Sequence, residues 1–325
     1  MKVLTIGTSL ITEKFISALK QVDETQLVAV YSRSQEKAEA FAQKMGAAYA
    51  FNDLSEALRS DLFDTVYVAS PNTIHFEQVK LALLANKHVL CEKPFTSTKK
   101  QLEELIELAK QRQLMLMEAI TTIHMPNFKI IQEKIADLGD IKLINANYSQ
   151  FSSRYEKYKN GIVTNIFDPE FDGGALRDIN VYNIHFTTYL FGRPKNVIYY
   201  PNQGFNKVDT SGVLILEYDQ FKAVLIGAKD SSSQSFGLIQ GEKQTIKVHG
   251  SSLGQVEKVA LLGPITDANA SRETDISIAQ EMHMTYEIEV FKDLIKTQDF
   301  ELRNHYLNHS LLVLEVLEKA EQYVQ

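Results

Sequence analysis

The sequence predicts an α/β fold, with a doubly wound parallel sheet in its N-terminal part and an α+β domain with an antiparallel sheet behind it. The first 120 residues alternate short, continuously apolar runs with longer stretches of helical periodicity. This pattern is typical of parallel strands buried on both faces and of the helices that connect them. After residue 120, strand-like runs follow one another and two helices close the chain, an order that indicates an α+β domain. Because 325 residues suit two domains, we place them at residues 1–120 and 121–325.

The elements of the first domain follow from apolar runs and their spacing. Continuous apolar runs predict strands at residues 3–6, 27–31, 65–68, 88–90 and 114–117. Apolar residues three and four apart predict connecting helices at residues 11–19, 34–44, 73–84 and 97–110. The alternation of strand and helix predicts right-handed crossovers within one sheet.

The second domain opens with a predicted helix at residues 127–136 and continues mainly as strands. Strand-like runs occupy residues 141–148, 212–218, 221–228 and 245–248. The middle two are separated by Asp219 and Gln220, which predicts a tight antiparallel hairpin. Apolar residues at helical spacing predict the closing helices, around residues 284–295 and 307–314. One face of an antiparallel sheet often needs cover, which a second subunit commonly provides.

Composition and charge exclude several classes of function. The net charge is −7 and no block of five Lys or Arg residues occurs, so the positive field required for nucleic-acid binding is missing. No apolar run approaches the roughly 18 to 20 residues that span a bilayer, and we expect no membrane partner. Cys91 is the only cysteine, so no intrachain disulfide forms, which suits the cytoplasm. We interpret Cys91 as a buried strand residue rather than a nucleophile.

No metal site is predicted. His305 and His309 have the helical spacing of a zinc-binding pair, but Tyr306 stands where a metalloprotease glutamate would be. We therefore interpret the two histidines as part of an exposed helix face.

The turn after the first predicted strand is a candidate dinucleotide site. Such a turn, between a strand and a helix, is where a G-x-G-x-x-G fingerprint belongs. Of its three glycines only Gly7 is present, because Ser9 and Thr12 occupy the other two positions. Backbone and side-chain donors here could bind a pyrophosphate at the positive end of the helix, and the candidate residues are Gly7, Thr8, Ser9, Leu10 and Ile11. Taken alone, the motif fits a plain strand–helix turn equally well.

Ser32 and Arg33 follow the second predicted strand, where NAD-dependent enzymes carry a carboxylate that binds the adenine ribose. A carboxylate would repel a 2′-phosphate, whereas Ser32 and Arg33 could bind one through charge-assisted hydrogen bonds. These residues therefore predict a preference for NADP(H) over NAD(H). The alternative is a solvated loop in which Ser34 caps the next helix.

Two polar motifs end later strands, at the sheet edge where open α/β sheets bind ligands. Ser70, Pro71 and Asn72 follow one strand, with His75 close behind, and Glu92-Lys93-Pro94 follows the next. A charged pair at the end of an apolar strand is unusual, although by itself it could be a surface ion pair.

A third motif opens with Gly173-Gly174 and leads into a predicted helix. Asp178, Tyr182 and His185 are spaced four and three residues apart and would share one helix face. This spacing would let the carboxylate of Asp178 orient a phenol used in proton transfer. The alternative is a buried Asp–Tyr hydrogen bond that only holds the helix.

Together these motifs resemble those of the Gfo/Idh/MocA oxidoreductases, named for glucose–fructose oxidoreductase and inositol dehydrogenase. The resemblance spans the whole chain and rests chiefly on Glu92-Lys93-Pro94 and on Gly173-Gly174 with the downstream Asp178 and Tyr182. Residues 168–170 and 284–289 most resemble the dihydrodiol dehydrogenase and NADP-dependent xylose dehydrogenase branch.

The resemblance implies a Rossmann domain, a second domain with a large open sheet, and homodimers or tetramers joined through that sheet. It implies reversible hydride transfer between a nicotinamide and a sugar, polyol or vicinal-diol carbon. It places Lys93 near the nicotinamide and the reacting oxygen, and Tyr182 as the acid/base tuned by Asp178. The remaining cofactor contacts that it implies are Ser70, Pro71, Asn72, His75 and Glu92.

We therefore expect a cytoplasmic oxidoreductase that prefers NADP(H) and acts on a sugar-like or diol substrate. One alternative is an imine or tetrapyrrole reductase, since related folds catalyse such reductions. Another is a non-catalytic, NADP-sensing regulatory protein of the same fold, against which the joint presence of Lys93, Asp178 and Tyr182 argues.

Overall fold

The structure, a computed structural model, describes residues 1–264 and 273–324. The chain divides into two compact units. Unit 1 comprises Met1–Ala119 and Glu281–Leu311, and unit 2 comprises Ile120–Gln280 and Leu312–Gln325.

Within the described residues the strands form two sheets. The first sheet contains β1 (Lys2–Ile6), β2 (Gln26–Tyr31), β3 (Tyr49–Phe51), β4 (Thr65–Val68), β5 (His88–Glu92) and β6 (Leu116–Ala119). The second contains β7 (Ile141–Ser149), β8 (Asn196–Gln203), β9 (Asp209–Glu217), β10 (Lys222–Ala228), β11 (Ser235–Gly241), β12 (Thr245–Gly250), β13 (Lys258–Leu262) and β14 (Glu273–Asp275).

The α-helices of the described residues lie in both units. They are α1 (Leu10–Leu19), α2 (Gln35–Met45), α3 (Leu54–Leu58), α4 (His75–Leu84), α5 (Lys99–Gln111), α6 (Pro126–Lys134), α7 (Tyr155–Lys159), α8 (Val181–Phe191), α9 (Met284–Thr297) and α10 (Phe300–Glu321). A π-helical turn spans Leu176–Asn180, directly before α8. Throughout the described part of the chain, no helix combines the length and apolar character needed to cross a membrane.

The sheet of unit 1 is parallel throughout and has the strand order β3-β2-β1-β4-β5-β6. This is the order of dinucleotide-binding doubly wound folds, so the predicted fold class is confirmed. The sequence analysis missed β3 and α3, which are too short to show periodicity. It also began β6 too early, because the amide of Leu114 bonds to the Ala109 carbonyl and that of Met115 to the His88 ring.

Residues 281–311, which the sequence analysis assigned to the second domain, pack on unit 1. The apolar face of α9, with Met284, Ile288 and Phe291, joins the cluster that contains Val3 and Phe15. These α9 side chains are at most 1% exposed, so apolar burial accounts for their position.

The sheet of unit 2 has the order β14-β13-β12-β11-β7-β10-β9-β8. β7 and β10 are parallel, and all other neighbouring strands are antiparallel. The predicted hairpin is confirmed: β9 and β10 pair antiparallel, and the amide of Tyr218 donates to the Phe221 carbonyl at 3.0 Å. α8 and the π-helical turn cover one face of this sheet.

Candidate active site

The loops that follow β1, β2, β4 and β5 all leave the carboxyl edge of the sheet of unit 1. Between β1 and β4 the strand order reverses, which is where doubly wound sheets bind their ligands. Most residues predicted to bind the cofactor therefore lie along one edge of unit 1.

The turn after β1 requires its glycine. Gly7 has φ of +115°, and a Cβ on it would lie 2.5 Å from the carbonyl oxygen of Ala69. Ser9 precedes α1 without a side-chain capping bond, and its hydroxyl lies 3.3 Å from that of Thr12. Leu10, the first residue of α1, is 68% exposed. The first-turn amides of α1 are therefore available to an anion.

Thr8 and Ile11 are both half-buried. The side chain of Ile11 packs against the apolar core of unit 1, so any contact of Ile11 with a ligand would be through its backbone amide.

Arg33 is exposed and has neither an ion pair nor a hydrogen bond to any described residue. The amide of Ser32 donates to the Phe51 carbonyl at 3.1 Å, which ties this loop to β3. Ser34 caps α2 by accepting from the Lys37 amide at 3.4 Å. The capping role of Ser34 is thus present, and it leaves the Arg33 guanidinium available to bind a phosphate.

Glu92 ends β5 in a buried environment. Its Oε1 accepts a hydrogen bond from the Tyr67 hydroxyl at 2.5 Å. Burial raises the pKa of the Glu92 carboxyl, whereas the hydrogen bond from Tyr67 and the neighbouring Lys93 ammonium lower it. The ring of Tyr67 stacks on Phe15 with centroids 3.6 Å apart, which fixes the hydroxyl that holds Glu92.

The turn that carries Lys93 is held from two sides. His75 Nδ1 lies 3.1 Å from the Pro94 carbonyl oxygen, and its Nε2 lies 2.9 Å from the Ser70 carbonyl oxygen. His75 therefore joins the loop after β4 to the turn after β5. A neutral imidazole has only one N–H and donates to one of these carbonyls. Burial lowers the pKa of His75.

The turn after β5 is also held by Glu118, a buried carboxylate on β6. Glu118 is 4% exposed, and its Oε1 accepts from the Phe95 amide at 3.1 Å. Its Oε2 accepts from the Ser310 hydroxyl at 2.6 Å. Neither Glu118 nor Tyr67 was found from the sequence, because each lies inside an apolar strand with nothing to mark its partner.

The remaining residues of these loops are placed as follows. The Ser70 hydroxyl donates to Gln78 at 2.7 Å, while Pro71 precedes a short 3-10 turn that begins at Asn72. Lys93 is half-buried. Cys91 is fully buried, and burial raises the pKa of its thiol well above the ordinary value. The interpretation of Cys91 as a buried strand residue is confirmed.

In unit 2, close contacts explain both glycines of the Gly173-Gly174 pair, with backbone at Gly173 and with a side chain at Gly174. A Cβ on Gly173 would lie 2.6 Å from the Asn165 carbonyl oxygen. Gly174 has φ of +119°, and a Cβ there would lie 1.9 Å from Oδ1 of Asp209. A side chain at either position would displace this turn.

The helix after the glycines departs from the predicted regular spacing. Residues 176–180 form a π turn, whose i→i+5 bonding differs from that of an α-helix. Asp178 therefore lies in the π turn and not in a regular α-helix, whereas Tyr182 and His185 both lie in α8. His185 is fully buried, whereas Asp178 and Tyr182 are half-buried.

Asp178 pairs with Lys229, a residue that the sequence analysis missed. Their side chains form an ion pair in which Lys229 is 5% and Asp178 33% exposed. The ammonium of Lys229 also lies 5.9 Å from the ring centroid of Phe167. Lys229 directly follows the apolar strand β10, which is the same signal that marked Glu92 and Lys93 and could have identified it.

The Tyr182 ring is fixed by its neighbours. It meets the ring of Tyr148 edge-on with centroids 5.7 Å apart. A Cβ on Gly254 would lie 3.0 Å from the Tyr182 ring, so a side chain there would push against this ring.

The histidine pair on α10 is not an exposed face. His305 is exposed, but His309 is only 7% exposed, so that part of the interpretation is wrong. This part of α10 packs into unit 1, where Leu307, which lies between the two histidines in the sequence, is 1% exposed. Among the described residues, no group of three or more His, Cys, Asp or Glu side chains could hold a metal.

Comparisons with known proteins agree with this geometry. Residues 1–120 match the profile of an oxidoreductase family with an NAD-binding Rossmann fold, and residues 129–253 match the GFO/IDH/MocA C-terminal domain. The chain belongs to the GFO/IDH/MocA family. It is thus an NAD(P)-dependent oxidoreductase by family.

Several relatives of the chain have named activities, among them an inositol dehydrogenase and a dihydrodiol dehydrogenase. The chain is 41% identical to the scyllo-inositol 2-dehydrogenase (NADP(+)) IolU of Bacillus subtilis (strain 168) over 98% of its length and 95% of that protein. It is 32% identical to the trans-1,2-dihydrobenzene-1,2-diol dehydrogenase of Xenopus tropicalis, over 72% of this chain and 69% of that protein.

Solved structures of other proteins share the fold. The 3-ketoreductase KijD10 from Actinomadura kijaniata, in complex with NADP and TDP-benzene, superimposes with a TM-score of 0.87 at 20% identity, over 99% of this chain and 97% of that one. An NAD binding oxidoreductase from Klebsiella pneumoniae gives a TM-score of 0.83 at 18% identity, over 100% of this chain and 96% of that one.

Proposed function

We propose that this chain catalyses reversible hydride transfer between NADP(H) and a hydroxyl-bearing carbon of a cyclitol, sugar or vicinal diol. The observation that carries the proposal is the Glu92-Lys93 turn, which contacts from Tyr67, His75 and Glu118 hold at the carboxyl edge of the sheet. The names of the inositol and dihydrodiol dehydrogenase relatives support the substrate class.

The residues of unit 1 fit a dinucleotide. Gly7 allows the tight turn against Ala69 that leads into α1, and the first turn of α1 supplies amide donors for a pyrophosphate. Arg33, which is exposed and has no ion pair within the described ranges, would hold a 2′-phosphate, which supports NADP(H) over NAD(H). Ser70, Pro71, Asn72 and Glu92 would border the nicotinamide half.

The nicotinamide, when bound, supplies or accepts the hydride. We assign to the Lys93 ammonium the stabilisation of negative charge on the reacting substrate oxygen. Tyr182 donates a proton to that oxygen during reduction and removes it during oxidation. Asp178, held by Lys229, orients this proton transfer.

The experiment has two stages. NADPH is first titrated into the protein with nucleotide fluorescence as the signal. Aldoses, polyols and diols are then tested for NADP⁺-dependent oxidation, and imines for NADPH-dependent reduction. Turnover of a polyol or diol supports the proposal. Binding without turnover of any compound would favour the non-catalytic sensor, and turnover of imines alone the second enzymatic alternative.

We also propose that two copies of the chain associate through the sheet of unit 2. On the face opposite α8, paired strands align Ile198, Ile215 and Val224 in one row. The next row aligns Tyr200, Val213 and Ile226. These side chains remain partly exposed, and Tyr200 is 60% exposed. A contiguous apolar face of this kind favours self-association.

A further inference from the structure

Three consecutive residues at the start of the candidate catalytic helix are each held by a charged side chain from another element of unit 2. The pairs are Leu176 with Asp209, Arg177 with Glu321, and Asp178 with Lys229. Asp209 begins β9, Glu321 ends α10, and Lys229 follows β10. Only Asp178 was identified from the sequence.

The carboxylate of Asp209 makes the contacts that start this helix. Its Oδ2 accepts from the Leu176 amide at 2.7 Å and from the Tyr199 hydroxyl at 2.7 Å. Its Oδ1 lies against Gly174, where a Cβ would come within 1.9 Å. The Gly174 carbonyl in turn accepts from the Asp178 amide at 3.2 Å. Asp209 thus connects the glycine turn to the backbone of Asp178.

The Asp209 carboxylate takes the place of the N-terminal cap that the helix beginning at Leu176 lacks. The first amides of a helix have no partner within the helix. Ala175 precedes this helix, and its methyl side chain cannot accept a hydrogen bond from them. A carboxylate at the positive end of a helix is favourable, and its hydrogen bonds are charge-assisted. The π turn that follows is intrinsically less favourable than α-helix and persists only where its surroundings fix it.

We propose that Asp209 is a positioning residue whose ionised carboxylate fixes the turn that carries Asp178 and leads to Tyr182. This inference rests on the proposed function, because it assigns a catalytic effect to the placement of those two side chains. Protonation of Asp209 weakens the bond to the Leu176 amide and lowers turnover without altering cofactor binding.

Asp209 is placed to titrate near neutral pH. Burial raises the pKa of its carboxyl to about 7, although the Tyr199 hydroxyl and the Leu176 amide lower it. Glu321 raises it further, and Asp230 is bonded to the next two residues of β9. A cavity of about 300 Å³ reaches Asp209 and is lined also by Arg177, Glu321, Asp172 and Lys207. Asp209 thus borders this cavity although it is itself buried.

The structural part of the proposal is tested by hydrogen exchange. In Asp209→Asn the carboxylate becomes a neutral group of similar shape, so its bond to the Leu176 amide weakens. We expect the protection factor of segment 174–182 to fall by about tenfold or more. Tyr218→Phe is the control, because it removes a buried hydroxyl that bonds to the Gly192 carbonyl instead. Unchanged protection in Asp209→Asn would overturn the proposal.

The catalytic part is tested by the pH profile of kcat. Wild-type kcat should fall as the pH drops through about 7, where Asp209 takes up a proton. In Asp209→Asn, kcat should not show this fall with decreasing pH. Above about pH 7 its kcat should be about tenfold lower than that of wild type, with an unchanged Kd for NADPH. Tyr199→Phe should move the step to higher pH, because its hydroxyl lowers the pKa of Asp209. Tyr218→Phe should not move it.

The two tests separate this proposal from the function on which it rests. If wild-type protein binds NADPH but turns over no compound, the proposed function fails and hydrogen exchange alone decides the structural role of Asp209. If wild-type protein is active and Asp209→Asn keeps both the acid step and the full kcat, Asp209 does not position the catalytic helix. If Asp209→Asn does not fold, the shift in Tyr199→Phe decides, and its absence overturns the proposal.

Discussion

Individual side chains at the turn after β1 compensate for an incomplete glycine fingerprint. Gly7 is indispensable because the Ala69 carbonyl oxygen would lie 2.5 Å from any Cβ. Thr12 stands in the place of the third glycine, fully buried, with its hydroxyl 3.3 Å from that of Ser9. The tight turn between β1 and α1 thus forms with one of the three usual glycines.

Arg33→Ala tests the cofactor preference. Loss of a charge-assisted contact to a 2′-phosphate should weaken NADP(H) binding about tenfold or more and leave NAD(H) binding nearly unchanged. The ratio of kcat/KM for the two cofactors measures this effect. Arg59→Ala is the control, since Arg59 is also exposed but follows α3. An unchanged ratio in Arg33→Ala would remove the phosphate role.

Lys93→Met tests the charge at the reacting oxygen. Methionine keeps the length of the side chain and removes the ammonium, so kcat should fall about 100-fold or more while the Kd for NADPH is retained. Lys100→Met, on the exposed side of α5, should leave kcat unchanged. Wild-type turnover in Lys93→Met would exclude Lys93 from the mechanism.

Secondary-structure elements with a local sequence signal were predicted, whereas features that depend on contacts distant in sequence were not. Residues 3–6 and 65–68 were identified as strands because continuous apolar runs report burial on both faces. Glu92 and Lys93 were found because charges at the end of such a run are conspicuous. Asp209 was not found, since its partner, the Leu176 amide, is 33 residues away. The π turn was also missed, because it depends on tertiary contacts rather than local spacing.

Gly174→Ala tests the tight approach at the helix start. Alanine at φ of +119° is strained and would also clash with the Asp209 carboxylate. We expect a loss of kcat together with a loss of stability greater than that of Gly161→Ala. Gly161, at φ of +81°, has nothing within 4 Å of a Cβ, so its substitution carries only the backbone cost of about 1–2 kcal/mol. Equal unfolding midpoints for the two variants would contradict the assigned contact.

At the scale of the whole molecule, two features reach beyond any single element. Residues 281–311 return to unit 1 and place α9 in its core, which no local pattern could predict. The sheet of unit 2 leaves apolar rows partly exposed on one face, which is the basis of the proposed self-association.

Val224→Glu tests that association. A carboxylate in the middle of the apolar rows should shift the protein to monomer, as measured by sedimentation velocity, because charge burial is costly. Lys195→Glu, at a side chain that is 75% exposed, should leave the oligomeric state unchanged. A wild-type protein that is already monomeric would contradict the proposal.

Glu287→Gln tests a pH dependence of stability. Glu287 on α9 is fully buried, and neither carboxyl oxygen has a hydrogen-bond partner among the described residues. Burial, together with nearby Glu92, raises its pKa well above the ordinary value. A raised pKa means that the folded state binds the proton more tightly, so stability falls as the pH rises above about 4.

The variant should therefore be more stable than wild type at about pH 8 and gain much less at about pH 5. Urea unfolding at both values measures this difference. Glu289→Gln, on the exposed side of the same helix, should show no such gain. Identical shifts at both pH values would argue against a protonated Glu287 in the folded state.

The initial rate of NADP⁺ reduction with a panel of cyclitols, sugars and vicinal diols tests the central claim most directly. The account predicts turnover of at least one polyol or diol, with a higher kcat/KM for NADP⁺ than for NAD⁺. Tight NADPH binding without turnover of any member of the panel would contradict it.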